Sequence, residues 1–113
     1  MRTLKLLAVL LAFGCYAPLV LAADASVTIS SPADGAKLSR TAQTNINYEV
    51  VPGPKGDHTH VYVDDKQVDV LHQLKGSYAL ESLAPGKHEI CIKVVNRNHT
   101  PIDVQKCIKV SVE

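Results

Sequence analysis

His58 and His60, two positions apart in Gly56-Asp57-His58-Thr59-His60-Val61-Tyr62-Val63-Asp64, have the types and spacing to do chemistry together. Successive side chains of a β-strand point to opposite faces, so His58, His60 and Tyr62 share one side and Thr59, Val61 and Val63 the other. The valines mark the core side. Two imidazoles rooted roughly 7 Å apart on one strand face can converge on a single metal ion, which makes His-x-His on a strand a candidate ligand pair. Imidazole-rich sites suit copper(II) and zinc(II), with a carboxylate or water completing the shell. Ligating imidazole must be neutral, so such binding would weaken as pH falls through about 6. The competing assignment is a row of solvated histidines on a polar strand face.

Three more histidines follow: His72, His88 and His99. Sorting them requires the elements that carry them. From Ala25 onward the chain reads as short alternating strands separated by polar turns, with no sustained helical period. Ser26–Ser30 and Thr44–Val50 alternate, the latter with Ile46, Tyr48 and Val50 inward. Pro52-Gly53-Pro54-Lys55-Gly56 is a loop that delivers the chain into the histidine strand. Asp64-Asp65-Lys66 turns that strand back into Gln67–Leu71. Ser77–Leu83 is a further strand, on which either Tyr78/Leu80 or Ala79/Leu83 could face the core. His88–Val95 and Val104–Val112 close the chain, their inward faces being Ile90/Ile92/Val94 and Ile108/Val110/Val112.

Seven antiparallel strands with turns at this spacing predict an all-β, immunoglobulin-like sandwich. The first, second and fifth strands would form one sheet, and the third, fourth, sixth and seventh the other. The start of the histidine strand then lies beside the end of the sixth strand and the loop after it, so His99 joins His58 and His60. The fourth strand returns His72 to the same end, and His88 falls at the opposite one. The expected metal set is His58, His60 and His99, with His72 or Asp57 as a fourth ligand. Asp57, Asp103 and Asn96 are polar neighbours that could supply an oxygen ligand or an acceptor for an imidazole N–H.

The N-terminus is set apart from this domain. Met1-Arg2-Thr3-Leu4-Lys5, the apolar run from Leu6 and the small residues at Val20-Leu21-Ala22 read as an export signal cleaved after Ala22, leaving residues 23–113 as one domain. Gly14-Cys15 offers a competing lipid-attachment site, though Ala12-Phe13 before it fits poorly. Barring lipidation at Cys15, the mature chain has no membrane contact. The expected location is the periplasm or the exterior. Cys91 and Cys107 remain, an even count that implies a disulfide in an oxidising compartment, and a hairpin centred near His99 places them opposite each other.

Removal of Arg2 and Lys5 takes the formal charge from +1 for the whole chain to −1. With so few aromatics, nothing here calls for nucleic acid. No hydrolase arrangement surrounds Ser77, and Asp64, Asp65 and Asp69 lack the spacing of a calcium loop. No enzyme activity is expected. Asn98-His99-Thr100 matches a glycosylation sequon, but Pro101 follows and the signal looks bacterial, so a loop is preferred.

Ser31-Pro32-Ala33-Asp34-Gly35-Ala36, the segment from Asp57 to Asp64, Leu74-Lys75-Gly76-Ser77-Tyr78, Leu83-Ala84-Pro85-Gly86-Lys87-His88 and Val95-Asn96-Arg97-Asn98-His99-Thr100-Pro101 together resemble small exported bacterial proteins of unknown function that carry a histidine-rich strand and a late Asn/Asp-x-His-x-Pro loop. The second half, through Pro85-Gly86 to Val95, His99 and Pro101-Ile102, is similar to CopC-type periplasmic copper carriers, a resemblance that implies a copper ligand at His99. Those carriers also use an N-terminal histidine, whereas this mature chain would begin Ala23-Asp24-Ala25, so His58 and His60 would have to substitute. Copper/zinc superoxide dismutase also places His-x-His in a sandwich and is the enzymatic alternative; the further spaced histidines and aspartate for a second metal are lacking. The non-metal alternative is an interaction module whose sheet edge or loops contact another exported protein.

Overall fold

The computed structural model describes residues 24–113; the expected export signal and cleavage site, and Cys15, lie outside the described residues. Eight strands run in chain order: β1 (Ser26–Ser31), β2 (Lys37–Leu38), β3 (Thr44–Val51), β4 (His58–Val63), β5 (Lys66–Leu71), β6 (Lys75–Leu80), β7 (Gly86–Val95) and β8 (Pro101–Val112). They form a three-stranded sheet, β1-β3-β6, and a five-stranded sheet, β2-β8-β7-β4-β5. The division of the seven expected strands between two sheets is the one the turn spacing implies. No helix occurs among the described residues.

Alternation decides what each strand buries. Ile46, Tyr48 and Val50 on β3, Val61 and Val63 on β4, Ile90, Ile92 and Val94 on β7, and Ile108 and Val110 on β8 make the core between the sheets. On β6, Gly76, Tyr78 and Leu80 turn inward and Ala79 outward, which settles the strand whose facing was open. That strand also begins earlier than expected, at Lys75 rather than Ser77.

Two features depart from the seven-stranded antiparallel expectation. β2 is an eighth strand and pairs with β8 in parallel, Lys37 facing Ser111 and Leu38 facing Val112. Two residues are too few to show alternation, so it is invisible in the sequence. It is held because the turn before it is anchored: Lys109 N–H donates to Asp34 Oδ1 at 2.8 Å, and Gly35, at φ 86°, donates to Lys109 O. β8 also starts three residues earlier than Val104, with an irregularity opposite Lys93–Val95 and Asp103 at φ 70°.

Chain delivery into β4 depends on Gly56. A Cβ there would collide with Pro52 O and come within 2.6 Å of Val94 Cγ1. Gly56 N–H donates to Pro52 O at 3.1 Å, and Asp57 N–H reaches Val95 O at 2.8 Å, so the loop is tied to β7 just before His58.

Cys91 and Cys107 face each other across the β7/β8 ladder with Cα atoms 4.0 Å apart and are joined by a disulfide. The bridge sits on the outer face of the five-stranded sheet, since Ile90 and Ile92 on either side of Cys91 point into the core. Replacing both cysteines with alanine is expected to destabilise the domain by roughly 3 kcal/mol, the chain-entropy value for a loop of this length. Guanidinium unfolding of the two forms checks this; equal midpoints would contradict it. Thr59 Oγ1 is buried on the core side without a hydrogen-bond partner among the described residues. Thr59→Val is therefore expected to raise stability by about 1 kcal/mol, measured the same way.

Candidate metal centre

β4 supplies the two histidines and the β7–β8 hairpin tip the third. Tyr62 pairs with Cys91, His60 with Lys93 and His58 with Val95, so the histidines share the outer sheet face with the disulfide. The competing assignment placed these histidines in solvent, and both are buried instead: His58 is 4 % exposed and His60 3 %. They are enclosed by other imidazoles rather than by the opposing sheet. The His58 ring centroid lies 5.2 Å from that of His60, 4.6 Å from that of His99 and 5.5 Å from that of His72. The fully buried Val95 is its register partner on β7.

His99 reaches this cluster because the hairpin tip is built around Asn96. Asn96 N–H donates to Thr100 O at 2.9 Å and His99 N–H to Asn96 O at 3.0 Å. The Asn96 side-chain oxygen accepts from both Asn98 N–H and Thr100 N–H. These bonds hold His99 at φ 64°, in the left-handed region that asparagine, aspartate and histidine enter more readily than most residues. β-bulges bend a strand, and the irregularity at Asp103 lies at the base of this tip.

The ring nitrogens meet closely. His58 Nε2 and His60 Nε2 each lie 3.0 Å from His99 Nδ1. His58 Nδ1 lies 2.9 Å from Asp57 Oδ2, to which it donates, so in the neutral ring Nε2 presents a lone pair to His99. If His99 Nδ1 carries a proton, that single proton is shared between two acceptors, and His60 Nδ1–H is buried without a partner. If it carries a lone pair, it accepts from His60 and faces the lone pair of His58. Every neutral arrangement leaves one contact or one buried group unsatisfied, at a typical cost of about 1–3 kcal/mol.

A cation held by His58, His60 and His99 would reverse this balance by accepting three lone pairs at once. With metal–nitrogen distances of about 2.0–2.1 Å, the two 3.0 Å separations from His99 Nδ1 would each subtend about 91–97°, within the range a tetrahedral or tetragonal centre tolerates. His58, His60 and His99 have their ligand atoms within 4.8 Å of one another. Asp57 and His72 are outside that set. Asp57 orients His58 and lies 3.8 Å from the exposed Arg97 guanidinium, while His72 is exposed and stacks on His58. Asn96 braces the loop backbone, and no contact joins Asp103 to an imidazole among the hydrogen bonds of the described residues. The sequence did not reveal the burial of the histidines or the bracing role of Asn96, because both depend on how the tip folds over β4. A second group, Glu89 with Cys91 and Cys107, is equally tight, but its sulfurs are bonded to each other and offer no thiolate.

His88 lies at the other end of the sheet, as the topology implies. Its Nδ1 is 2.6 Å from Asp64 Oδ2 and its Nε2 2.7 Å from Ala84 O, so both nitrogens face acceptors. These bonds, to Asp64 first and Ala84 second, raise its pKa. The Asp64 carboxyl is lowered, chiefly by the Glu89 N–H and then by His88. His60 is shifted the opposite way from His88, first by burial and then by repulsion from His58 and His99.

Comparison with known proteins bears on the fold. No known family model matches the sequence, and no curated protein matches it. Among solved structures, the fibronectin(III)-like modules of CbhA from Clostridium thermocellum superpose with a TM-score of 0.64 at 14 % identity, covering 77 % of this chain and 96 % of that one. The CARDB domain of a Pyrococcus furiosus protein, solved in complex with di-metal ions, gives 0.51 at 17 % identity, covering 79 % and 92 %. A lytic polysaccharide monooxygenase from Jonesia denitrificans gives 0.51 at 15 % identity, covering 74 % and 61 %. The domain is a small immunoglobulin-like, fibronectin-III-like β-sandwich. These likenesses carry the fold alone, and none of them bears on the CopC-type resemblance.

The two shifted histidines give opposite pH signatures. His88, raised, contributes stability that is complete below its unfolded value near 6.5 and is lost as pH rises through its folded value. His60, lowered, contributes stability present above that unfolded value and lost as pH falls through its folded one. NMR titration of the metal-free protein is expected to show His88 titrating above 6.5 and His60 below it. The reverse order would contradict the structure.

Proposed function

We propose that this domain binds a single Cu(II) or Zn(II) ion through His58 Nε2, His60 Nε2 and His99 Nδ1, and does so outside the cytoplasm. The observation that carries the proposal is the pair of 3.0 Å approaches to His99 Nδ1, which one proton cannot satisfy and one cation can. Asp57 supports it by accepting from His58 Nδ1, which fixes the tautomer that leaves Nε2 free to ligate. The export signal read at residues 1–22 and the disulfide support a location beyond the cytoplasm.

The ligand set is all nitrogen and neutral, so copper(II) should bind more tightly than zinc(II), following the general order of affinities for divalent ions. His99 is exposed while the β4 pair is buried, so the site borders solvent and a fourth coordination position can be reached from outside. An open position suits water or a ligand from another molecule. It fits exchange or delivery of the ion better than a purely structural role, because structural zinc sites are closed by four protein ligands.

Isothermal titration of the protein spanning residues 23–113 is expected to give one equivalent of Cu(II), with loss of binding in His58→Ala/His60→Ala and in His99→Ala. Asp57→Asn is expected to weaken affinity by about 10–100-fold while leaving the stoichiometry at one, as removal of a histidine-orienting carboxylate does. Unchanged binding in the His58→Ala/His60→Ala variant would reject the assignment.

A further inference from the structure

His72 is close to the three-histidine cluster without belonging to it. It directly follows β5, the strand that pairs with β4, and its exposed ring stacks on that of His58 at 5.5 Å and 28°. Its nitrogens are outside the 4.8 Å set formed by His58, His60 and His99. His58 and His60 are buried, whereas His72 and His99 are both exposed, so the buried pair is flanked by two solvent-facing imidazoles. A hydrated cation approaching the pair meets one of these rings first.

We propose that His72 is the exchange ligand of this site, holding the ion transiently on its way between solvent, or a partner's ligand, and the three resident histidines. This rests on the reading of His58, His60 and His99 as the binding set. The physical case is one of coordination number. A cation leaving three imidazoles in a single step loses bonds before it gains replacements; one that passes to an adjacent imidazole loses one bond as it forms another. A ring lying against His58 needs only side-chain rotation to present a nitrogen on the solvent side. Arg97, the Asp57 carboxylate it approaches at 3.8 Å and Asn98 are on the hairpin and the loop before β4, so beyond the three resident histidines the β5 side of the cluster is the one that offers a further imidazole nitrogen.

A transient ligand lowers the barrier in both directions and leaves the end states alone. His72→Ala should therefore slow uptake and release together, without altering the dissociation constant. His72→Ala changes one exposed side chain, so folding is preserved; Leu74→Ala, an exposed neighbour on the same loop, serves as the control.

The test uses Zn(II) alone as the probe. Stopped-flow transfer of Zn(II) to and from a chromophoric chelator is measured for residues 23–113, His72→Ala and Leu74→Ala, alongside the equilibrium constant of each. The expected result is a several-fold slowing of both transfer directions in His72→Ala, with its equilibrium constant and all Leu74→Ala values unchanged. An affinity loss of about tenfold or more with faster release would make His72 a resident ligand and overturn the proposal. Unchanged rates would overturn it as well. Failure of the unsubstituted protein to bind either Zn(II) or Cu(II) at equilibrium would remove the three-histidine site itself, a result distinct from either of those.

Discussion

The register of β7 is the constraint on which the rest of the molecule depends. This strand pairs with β4 on one side and β8 on the other. Its pairing places Cys91 between Tyr62 and Cys107, and Val95 opposite His58. A slip of one residue would turn every side chain of β4 or β8 to the wrong face, sending His58 and His60 toward the core and parting the cysteines. The disulfide forbids such a slip between β7 and β8, the two strands that carry the hairpin presenting His99. A covalent link on the outer face thus keeps a long-range imidazole cluster in place at the end of the sheet.

The same sheet face changes character along its length. Near the disulfide it carries Tyr62 with the Lys93 ammonium 4.3 Å from the ring centroid, a half-exposed arrangement ordinary for a sandwich surface. At the β4 start, buried histidines and Val95 replace it, covered by the hairpin tip and His72. Burial lowers the pKa of His60 and so favours the neutral ring that a metal requires. At the far end, His88 is held between Asp64 and Ala84 and its pKa is raised, favouring the cation. Two histidines of one small domain are thereby set to opposite charge preferences by what faces their nitrogens.

Much of this was legible in the sequence because strand alternation has a period of two and leaves little freedom. The inward faces of β3, β7 and β8, the two-sheet division, the Cys91–Cys107 pairing and the separation of His88 from the other histidines follow from alternation and topology. What was not legible depends on tertiary placement. β2 is too short to carry a pattern. The burial of His58 and His60 comes from a five-residue hairpin tip, at positions 96–100, folding over them; Asn96 organises that tip through backbone hydrogen bonds that no spacing rule announces. Asp57 was as plausible a ligand as an acceptor until its distance to His58 Nδ1 was known. Thr59 Oγ1, buried without a partner, has no role that the structure explains.

X-ray absorption spectroscopy of the Cu(II)-loaded domain tests the central claim most directly, because it counts the imidazoles around the ion. Three histidine nitrogens near 2.0 Å, with multiple-scattering features of the rings and a further light-atom ligand, are predicted, at about the usual metal–imidazole distance. A first shell of oxygens with one imidazole or none would contradict it and leave the disulfide-stapled sandwich without a metal centre.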